Sequence, residues 1–449
     1  MMQGPQLGIY LAELQWSPER LARELNREYG QGIVSAKAPY GWLKGSFPRG
    51  RVPGLVAQVL SDRLGKPVQV AQIWPGHADG AEPAAIDDQA EDPWSESQVL
   101  RAFDGLITRR ATAGAKPAAP RTGTALLSIA VDWLTVRGQL LRPRGAPNAV
   151  TRVMAEATTI PLNHLRQLAN RHGGLLVADW SIHELRWMVK LLGEDRNDLA
   201  ITQQLHSGAA ELAQIAGWLY ADHGWHGEGQ RHQLAALQAA TLSGDRELGA
   251  YILSCIAYHL TWYGQARAAV RLLTIARQGI DTSATPALHA LLVTRLARAH
   301  AHLGDEAACD SALAEAATAL DTSGPGTDHV AWLRWFTPAV LTADAGRSHL
   351  ELGRIRQADE LLAAGLSQMR EDQQVDRLLY TISLAQARLS LGALDGAIEC
   401  ALAALHLAET VDSRRAWRRL VILRQSLAAR DSRGSREVID EIDRLTDCH

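Results

Sequence analysis

Five glycines recur at a nearly constant spacing through the second half of the chain, with intervals of 40, 40, 49 and 39 residues. The positions seven before, five after and twelve after each glycine hold only glycine, alanine or cysteine, in all fifteen cases. Antiparallel helices approach closely only where side chains are small, and glycine commonly ends a helix. The pattern therefore predicts five helix pairs in series. The glycines are Gly224, Gly264, Gly304, Gly353 and Gly392.

This order of small residues resembles the tetratricopeptide repeat, although the period is near 40 residues and not about 34. The resemblance covers at least residues 205–410 and implies an α-solenoid whose concave groove is lined by the first helix of each pair. The family's groove positions fall here on Trp218, Asp222, Tyr251, Tyr258, Trp262, Arg298, His302, Arg347, Glu351 and Gln386. Such aromatic residues and arginines would hold a peptide or an acidic metabolite. Alternatively, the aromatic residues pack between helices and the arginines are solvated.

The charge is unevenly distributed along the chain. Residues 1–78 hold nine basic and five acidic residues, a net charge of +4. The remainder holds 37 basic and 44 acidic residues, a net charge of −7, because the whole chain has 46 and 49. A small basic head on a large acidic body is typical of a nucleic-acid reader joined to a sensor. Chance is the alternative explanation.

Short helices are predicted for the head. Leu7, Tyr10, Leu11 and Leu14 form one apolar helix face, and Ser17-Pro18-Glu19 is typical of a helix start. A third helix is expected from Ser35 to Gly45, a fourth after Pro53, and a fifth over residues 68–74. Trp42 and Leu43 are expected in the core. Short helices joined by tight turns favour a helix-turn-helix domain.

The segment Ser35-Ala-Lys-Ala-Pro-Tyr-Gly-Trp-Leu-Lys-Gly45, followed by Pro48-Arg49, resembles the recognition-helix region of actinobacterial XRE-type regulators. The resemblance implies that one group of residues faces the major groove and another group touches phosphates. The first group is Ala36, Lys37 and Tyr40, and the second is Lys44, Arg49 and Arg51. Residues 28–34 make the turn before this helix longer than the minimal motif.

The predicted fold class is all-α, with a helix-turn-helix domain followed by a tetratricopeptide-like α-solenoid. Residues 1–75 form the DNA-binding domain, and residues 76–124 form a linker with a short helix. The body comprises an irregular helical region at 125–205, the repeats at 206–410, and C-terminal capping helices at 411–449.

The sequence gives little support for metal binding or catalysis. His223, His226 and His232 straddle a predicted turn without a cysteine or firm carboxylate partner, so we expect no metal. Trp187 replaces the second histidine that an H-E-x-x-H motif at His183 would need, and phosphate-binding and nucleophile-elbow motifs are absent. We expect no enzyme activity and no cofactor. The longest uncharged apolar run is short and the first residues lack a leader pattern, so we expect a cytoplasmic protein without membrane contact.

The whole architecture resembles actinobacterial differentiation and antibiotic regulators and the peptide-sensing regulators of other Gram-positive bacteria. The resemblance implies a sequence-specific transcriptional regulator, a repressor, that binds double-stranded DNA as a homodimer and senses a peptide or small-molecule effector. The alternative is a tetratricopeptide adaptor that acts through protein contacts without binding DNA.

Overall fold

The computed structural model describes residues 6–29, 34–48, 52–64, 68, 70–74, 94–109, 120–136, 141, 150–194, 198–280, 284–321, 330–430 and 432–446. Within these ranges the chain is all-α, and the backbone pairs outside helices only at one parallel bridge, Gly173 to Asp412. The predicted fold class, an all-α chain of successive helix pairs, is confirmed. None of the helices in these ranges is long and apolar enough to cross a bilayer.

The head has its own apolar core. Its helices are α1 (Leu7–Glu13), α2 (Pro18–Tyr29), α3 (Ala38–Leu43), α4 (Val52–Leu64) and α5 (Val70–Ile73). Leu7, Leu21 and Leu60 are fully buried, and Trp42 meets Trp74 edge to face, with ring centroids 6.4 Å apart. Ser17 starts α2 as predicted, because its hydroxyl accepts a hydrogen bond from the Arg20 amide at 3.2 Å.

Helix α3 is shorter than the sequence predicts. It begins at Ala38 and not at Ser35, because Ser35 to Lys37 form a turn in which the Ser35 carbonyl accepts from the Ala38 amide at 3.0 Å. It is followed by Gly45, whose φ of +103° suits glycine. The preceding connection is fixed at its end, since the Asn26 side chain donates to the Val34 carbonyl at 2.7 Å and accepts from the Val34 amide at 2.9 Å.

The body begins earlier than predicted. Helix α6 (Glu96–Arg109) lies inside the segment predicted as a linker with a short helix, and Trp94, Val99 and Phe103 are buried in the body's core. The packing of this helix was not predicted, although Val99, Phe103 and Leu106 have apolar helical spacing. The irregular helices that follow are α7 (Gly123–Thr135), α8 (Arg152–Ala157), α9 (Thr159–Arg171) and α10 (Leu175–Leu192).

The five predicted pairs are present. They are α11 (Leu199–Asp222) with α12 (His226–Ser243), α13 (Arg246–Trp262) with α14 (Ala266–Gln278), α15 (Pro286–Leu303) with α16 (Glu306–Asp321), α17 (Pro338–Glu351) with α18 (Ile355–Gln368), and α19 (Gln374–Ser390) with α20 (Leu394–Ala408). Helices α21 (Arg414–Ala428) and α22 (Arg433–Thr446) follow. The five recurring glycines have φ between +72° and +88°, and all fifteen flanking small residues are buried. A Cβ on Gly217 would stand 2.7 Å from the Gly229 carbonyl oxygen, so this pair packs backbone to backbone.

The two ends of the repeat array meet. The Asp412 amide, in the turn between α20 and α21, donates to the His172 carbonyl after α9 at 2.8 Å. The Asp412 carboxylate lies 3.0 Å from His223 Nε2 at the end of α11, and Arg415 pairs with Asp222 at 2.8 Å. We call these contacts the closure. They enclose the concave face. Residues after the last helix pair contact the end of α11, in the first pair, and His172, which precedes that pair.

Replacing Gly173 by alanine should weaken the closure. Gly173 has a φ of +68°, and an added Cβ would stand 2.8 Å from the Asp412 carbonyl oxygen. Gly304→Ala is the matched control, because Gly304 has a φ of +72° and open space around the added atom. We expect the control to lose about 1–2 kcal/mol of unfolding free energy from backbone strain, and Gly173→Ala to lose about 1–3 kcal/mol more.

Urea unfolding followed by circular dichroism measures both losses, and hydrogen exchange at the Asp412 amide reports the closure directly. Equal losses in the two variants, with unchanged protection of that amide, would show that the closure contributes nothing to stability.

Candidate functional site

The ten predicted groove residues lie together on the enclosed concave face. Trp218 of α11 and Tyr258 of α13 have ring centroids 5.2 Å apart. His302 contacts Glu351 at 3.5 Å, and Gln386 accepts a hydrogen bond from Arg419 at 3.2 Å. Helices α11, α13, α15, α17 and α19 supply them, so the first helix of each pair lines this face as the repeat resemblance implies.

Four guanidinium groups surround the Trp262 ring. They lie 5.1 to 5.8 Å from the ring centroid, a distance at which a cation is attracted to an aromatic face. Two of them, Arg298 and Arg347, are sequence-predicted, are 2% and 3% exposed, and are therefore not the solvated arginines of the alternative explanation. The other two, Arg415 and Arg419, come from α21.

Tyr258 stands at the centre of the cluster. Its hydroxyl oxygen accepts hydrogen bonds from Arg415 Nη1 at 2.9 Å and Arg347 Nη1 at 3.5 Å. Burial raises the pKa of Tyr258, but the positive charges of Arg415, Arg347 and Arg298 more than offset this and bring the pKa to about 8. The phenol therefore ionises more readily than an ordinary tyrosine.

Positive charge exceeds negative charge on this face. Arg295 of α15 is also buried, which makes five guanidinium groups. The carboxylates that accompany them are four, from Asp222, Asp344, Glu351 and Asp376. Five minus four leaves one uncompensated positive charge. Burial and the neighbouring Arg347 and Arg298 lower the pKa of Arg419, which reflects the mutual repulsion of the three cations.

Arg298 is the least satisfied of these arginines. Its three guanidinium nitrogen atoms are buried and donate to no residue in the described part of the chain. Its contacts with Asp344 at 3.7 Å and Glu351 at 3.5 Å are longer than hydrogen bonds. A buried donor without a partner is costly, so this position favours an added acceptor.

The face encloses two cavities of about 260 Å³ each. The first, which we call the Trp262 pocket, is lined by Trp262, Arg347, Leu350, Glu351, Gln386, Arg419 and Ile422. The second, which we call the Arg295 chamber, has among its lining residues Trp218, Tyr251, Arg295, Trp332, Trp335 and Asp376. Of the ten predicted groove residues, four line the Trp262 pocket, two line the Arg295 chamber, and the other four line neither cavity.

Several site residues were not found from the sequence. Trp332 and Trp335 follow the insertion that lengthens the third glycine interval, and Trp332 stacks on Tyr251 with centroids 4.8 Å apart. Arg415 and Arg419 lie beyond the last repeat, on α21, which packs beside α19. Arg419 donates to the Leu379 carbonyl and the Ser383 hydroxyl of α19, and Arg415 pairs with Asp222 in the closure. Arg295 is three residues before the predicted Arg298 on the same helix, so helical spacing could have identified it.

The three clustered histidines serve separate contacts. His223 pairs with Asp412, the Tyr263 hydroxyl is hydrogen-bonded to His226, and His232 bonds to the Glu228 carbonyl at 2.9 Å. No cluster of residues in the described ranges has the ligands for a metal ion.

The predicted DNA-contact residues of the head are exposed where they are described. Ala36, Lys37 and Lys44 lie at the surface, and Tyr40 is 42% exposed. The Tyr40 hydroxyl donates to Glu19 of α2, a hydrogen bond that lowers the pKa of Glu19. Arg49 and Arg51 lie outside the described residues.

Comparison with known families bears on the head. Residues 7–74 match the family described as the SP15 N-terminal domain. These limits coincide with the apolar core of the head, which runs from Leu7 to Trp74. The head is therefore similar to a recurring domain, and that description states no activity. No curated protein is significantly similar to the chain.

Replacing Tyr258 by phenylalanine should remove the first tyrosine ionisation. Wild type should show a tyrosinate absorbance change centred near the Tyr258 pKa of about 8, because the arginines favour the anion. Tyr40→Phe is the control, since the hydrogen bond to Glu19 and burial raise the pKa of Tyr40. An ultraviolet pH titration measures both. The lowered pKa of Tyr258 would be contradicted if wild type and Tyr258→Phe first ionise together near the ordinary tyrosine value of about 10.

Proposed function

We propose that the chain is a DNA-binding transcriptional regulator, a repressor, whose helical body dimerises and responds to a small acidic ligand or a short peptide. The observation that carries the sensing part is the excess of buried arginine around Trp262, with the donors of Arg298 unmet. Buried positive charge of this kind is tolerated when a bound anion pairs with it. A carboxylate in the Trp262 pocket would neutralise the surplus charge and accept a hydrogen bond from Nη2 of Arg347, which lines the pocket and is a buried donor without a partner in the described ranges.

Support for DNA binding comes from the head. Its net charge of +4 attracts phosphates, and Lys37, Tyr40 and Lys44 are exposed on or beside α3. The resemblance of residues 35–49 to XRE-type regulators agrees with this assignment. A single head offers a small DNA interface, so two heads on paired half-sites would be needed for tight, specific binding.

An apolar surface of the body is suited to that dimer. Leu176, Trp180 and Trp187 share one face of α10 and are 84%, 45% and 45% exposed. Val153 and Ile160, on the neighbouring helices α8 and α9, are 74% and 70% exposed. Exposed apolar residues in such numbers mark interaction sites in soluble proteins. We propose that a second copy of the chain covers this surface.

The adaptor without DNA binding remains the second candidate, and the geometry of α3 favours it. This helix has six residues, and the Tyr40 hydroxyl is engaged with Glu19 on α2. A recognition helix of that length offers few side chains to a groove. The two candidates differ in one measurable property, the steep salt dependence that phosphate contacts give to DNA binding.

Replacing Lys37 and Tyr40 by alanine should reduce preference for the operator by about 1–3 kcal/mol per lost base contact. Replacing Arg49 and Arg51 should weaken binding to all sequences alike, because phosphate contacts carry no sequence information. Footprinting across the gene neighbourhood would identify the operator, and gel-shift titrations on operator and random DNA would measure the variants. Unchanged titrations in both pairs would favour the adaptor.

The same complexes test the dimer. Sedimentation should find two chains per operator, and Leu176→Glu with Trp187→Glu should give one chain per half-site and weaker binding. Leu402→Glu is the control, because Leu402 is 46% exposed on α20, away from α10. One chain per operator in the wild type would exclude the dimer.

Replacing Arg298 or Arg347 by methionine should uncouple the effector. Methionine fills similar space without the charge, so the fold and basal DNA binding should persist. Small-molecule extracts of the producing cells and a set of acidic di- and tripeptides are the probes. We expect an active probe to change wild-type DNA affinity by about 5–150-fold, a typical coupling, and to leave both variants unaffected.

Arg388→Met is the control for this experiment, because Arg388 pairs with Asp359 outside both cavities. An effector that acts equally on wild type and on the pocket variants would place sensing elsewhere in the body.

A further inference from the structure

We propose that the Arg295 chamber binds one compact zwitterion with a flat apolar part, of the aromatic amino-acid class, whose acidic group meets Arg295 and whose ammonium group meets Asp376. This site is separate from the Trp262 pocket, since Tyr258 and its arginine partners stand between them, and it does not depend on DNA binding.

The anion-binding side of the chamber is Arg295. This residue is 5% exposed and donates through Nη1 to the Ser254 hydroxyl at 2.6 Å and to Cys255 Sγ at 3.4 Å. It makes no ion pair with the carboxylates of the described chain. Four aromatic rings lie 5.5 to 5.9 Å from its guanidinium carbon, and none of them supplies a negative charge. A ligand carboxylate would supply that negative charge through a bidentate ion pair with the guanidinium group.

The cation-binding side is Asp376, in the first turn of α19. Its carboxylate has no hydrogen bond or ion pair to the described residues. Burial and the nearby Asp344 raise its pKa to about 6, against the opposing effect of Arg415, Arg347 and Arg295. At neutral pH the Asp376 carboxylate is mostly ionised, and a ligand ammonium group would form an ion pair with it.

The other buried charges around the chamber are already paired. Arg166 pairs with Glu211, and Arg415 pairs with Asp222 at 2.8 Å. At the exposed rim, Arg370 Nε donates to Asp372 at 2.9 Å, and Arg334 is open to solvent. One buried cation and one carboxylate of opposite sign are therefore left over, which selects a ligand that carries both charges.

Volume and walls define the rest of the ligand. A cavity of about 260 Å³ is large enough for one small molecule. Trp218, Tyr251 and Trp335 present aromatic surface, and aromatic rings pack favourably on such walls. These properties together favour an aromatic amino acid over an aliphatic acid or a lipid.

Calorimetric titration of the whole chain without DNA tests this inference. The probes are L-phenylalanine, L-tyrosine and L-tryptophan, with 3-phenylpropionate and 2-phenylethylamine as analogues of phenylalanine that lack one charge. We expect at least one amino acid to bind, and each analogue to bind at least about tenfold more weakly than L-phenylalanine, because one charge-assisted contact is lost. Lowering the pH to about 5 should weaken amino-acid binding as Asp376 is protonated.

Asp376→Asn should bind L-phenylalanine and 3-phenylpropionate with similar affinity, because asparagine cannot form an ion pair with the ammonium group. Asp359→Asn is the matched control, because this carboxylate on α18 pairs with Arg388 outside the chamber. Arg295→Lys keeps the positive charge but loses the planar guanidinium that can bind a carboxylate in a bidentate manner. This variant should bind every probe that carries a carboxylate more weakly.

The inference is overturned if none of the three amino acids binds, if the analogues bind as tightly as L-phenylalanine, or if Asp376→Asn retains the preference for the zwitterion. Because DNA is not present, each of these results leaves the DNA-binding proposal to be judged on its own titrations.

Discussion

The close approach of helices at small residues is the contact on which the body depends. Where Gly217 faces Gly229, each added Cβ would collide with the other residue's carbonyl oxygen, at 2.7 and 2.5 Å. Gly346 and Gly365 are equally confined between α17 and α18. Because the pairs pack this tightly, the first helices stand side by side on the concave face. Long aromatic and basic side chains such as Trp262, Arg298 and Arg347 project from these first helices onto that face.

Much of this arrangement follows from the sequence, because it is periodic. A repeated small residue has a local cause, and the five helix pairs and their terminal glycines could be predicted from it. The groove positions followed from the resemblance to the tetratricopeptide repeat. The closure could not be predicted, since Asp412 and Arg415 meet His172, His223 and Asp222 across about 190 to 240 residues of chain. Nothing in the local pattern around residue 412 indicates that contact. The same reason explains why the sequence does not identify Arg415. Arg419 lies outside the repeat pattern, on α21, and reaches the site from beside α19.

In the head, the core could be predicted from the sequence but the start of the candidate recognition helix could not. Its core residues follow from simple apolar spacing, and the capping role of Ser17 is visible in the sequence. The sequence predicts a start of α3 three residues too early, because Ser35 to Lys37 form a turn that helical pattern alone does not distinguish from a first helical turn. This difference matters for function, since Ala36 and Lys37 then lie before α3, and Lys37 would approach DNA from the end of the helix and not from its side.

The meeting of the two ends also has an evolutionary consequence. An open solenoid can gain or lose a unit by gene duplication or deletion, because each unit contacts only its neighbours. In this chain an extra pair of helices would move the turn at residues 410–412 away from the turn at Gly173, and a missing pair would make the two collide. The number of units is therefore held constant by geometry. Sequence variation in this lineage should therefore appear within the units and not in the number of units.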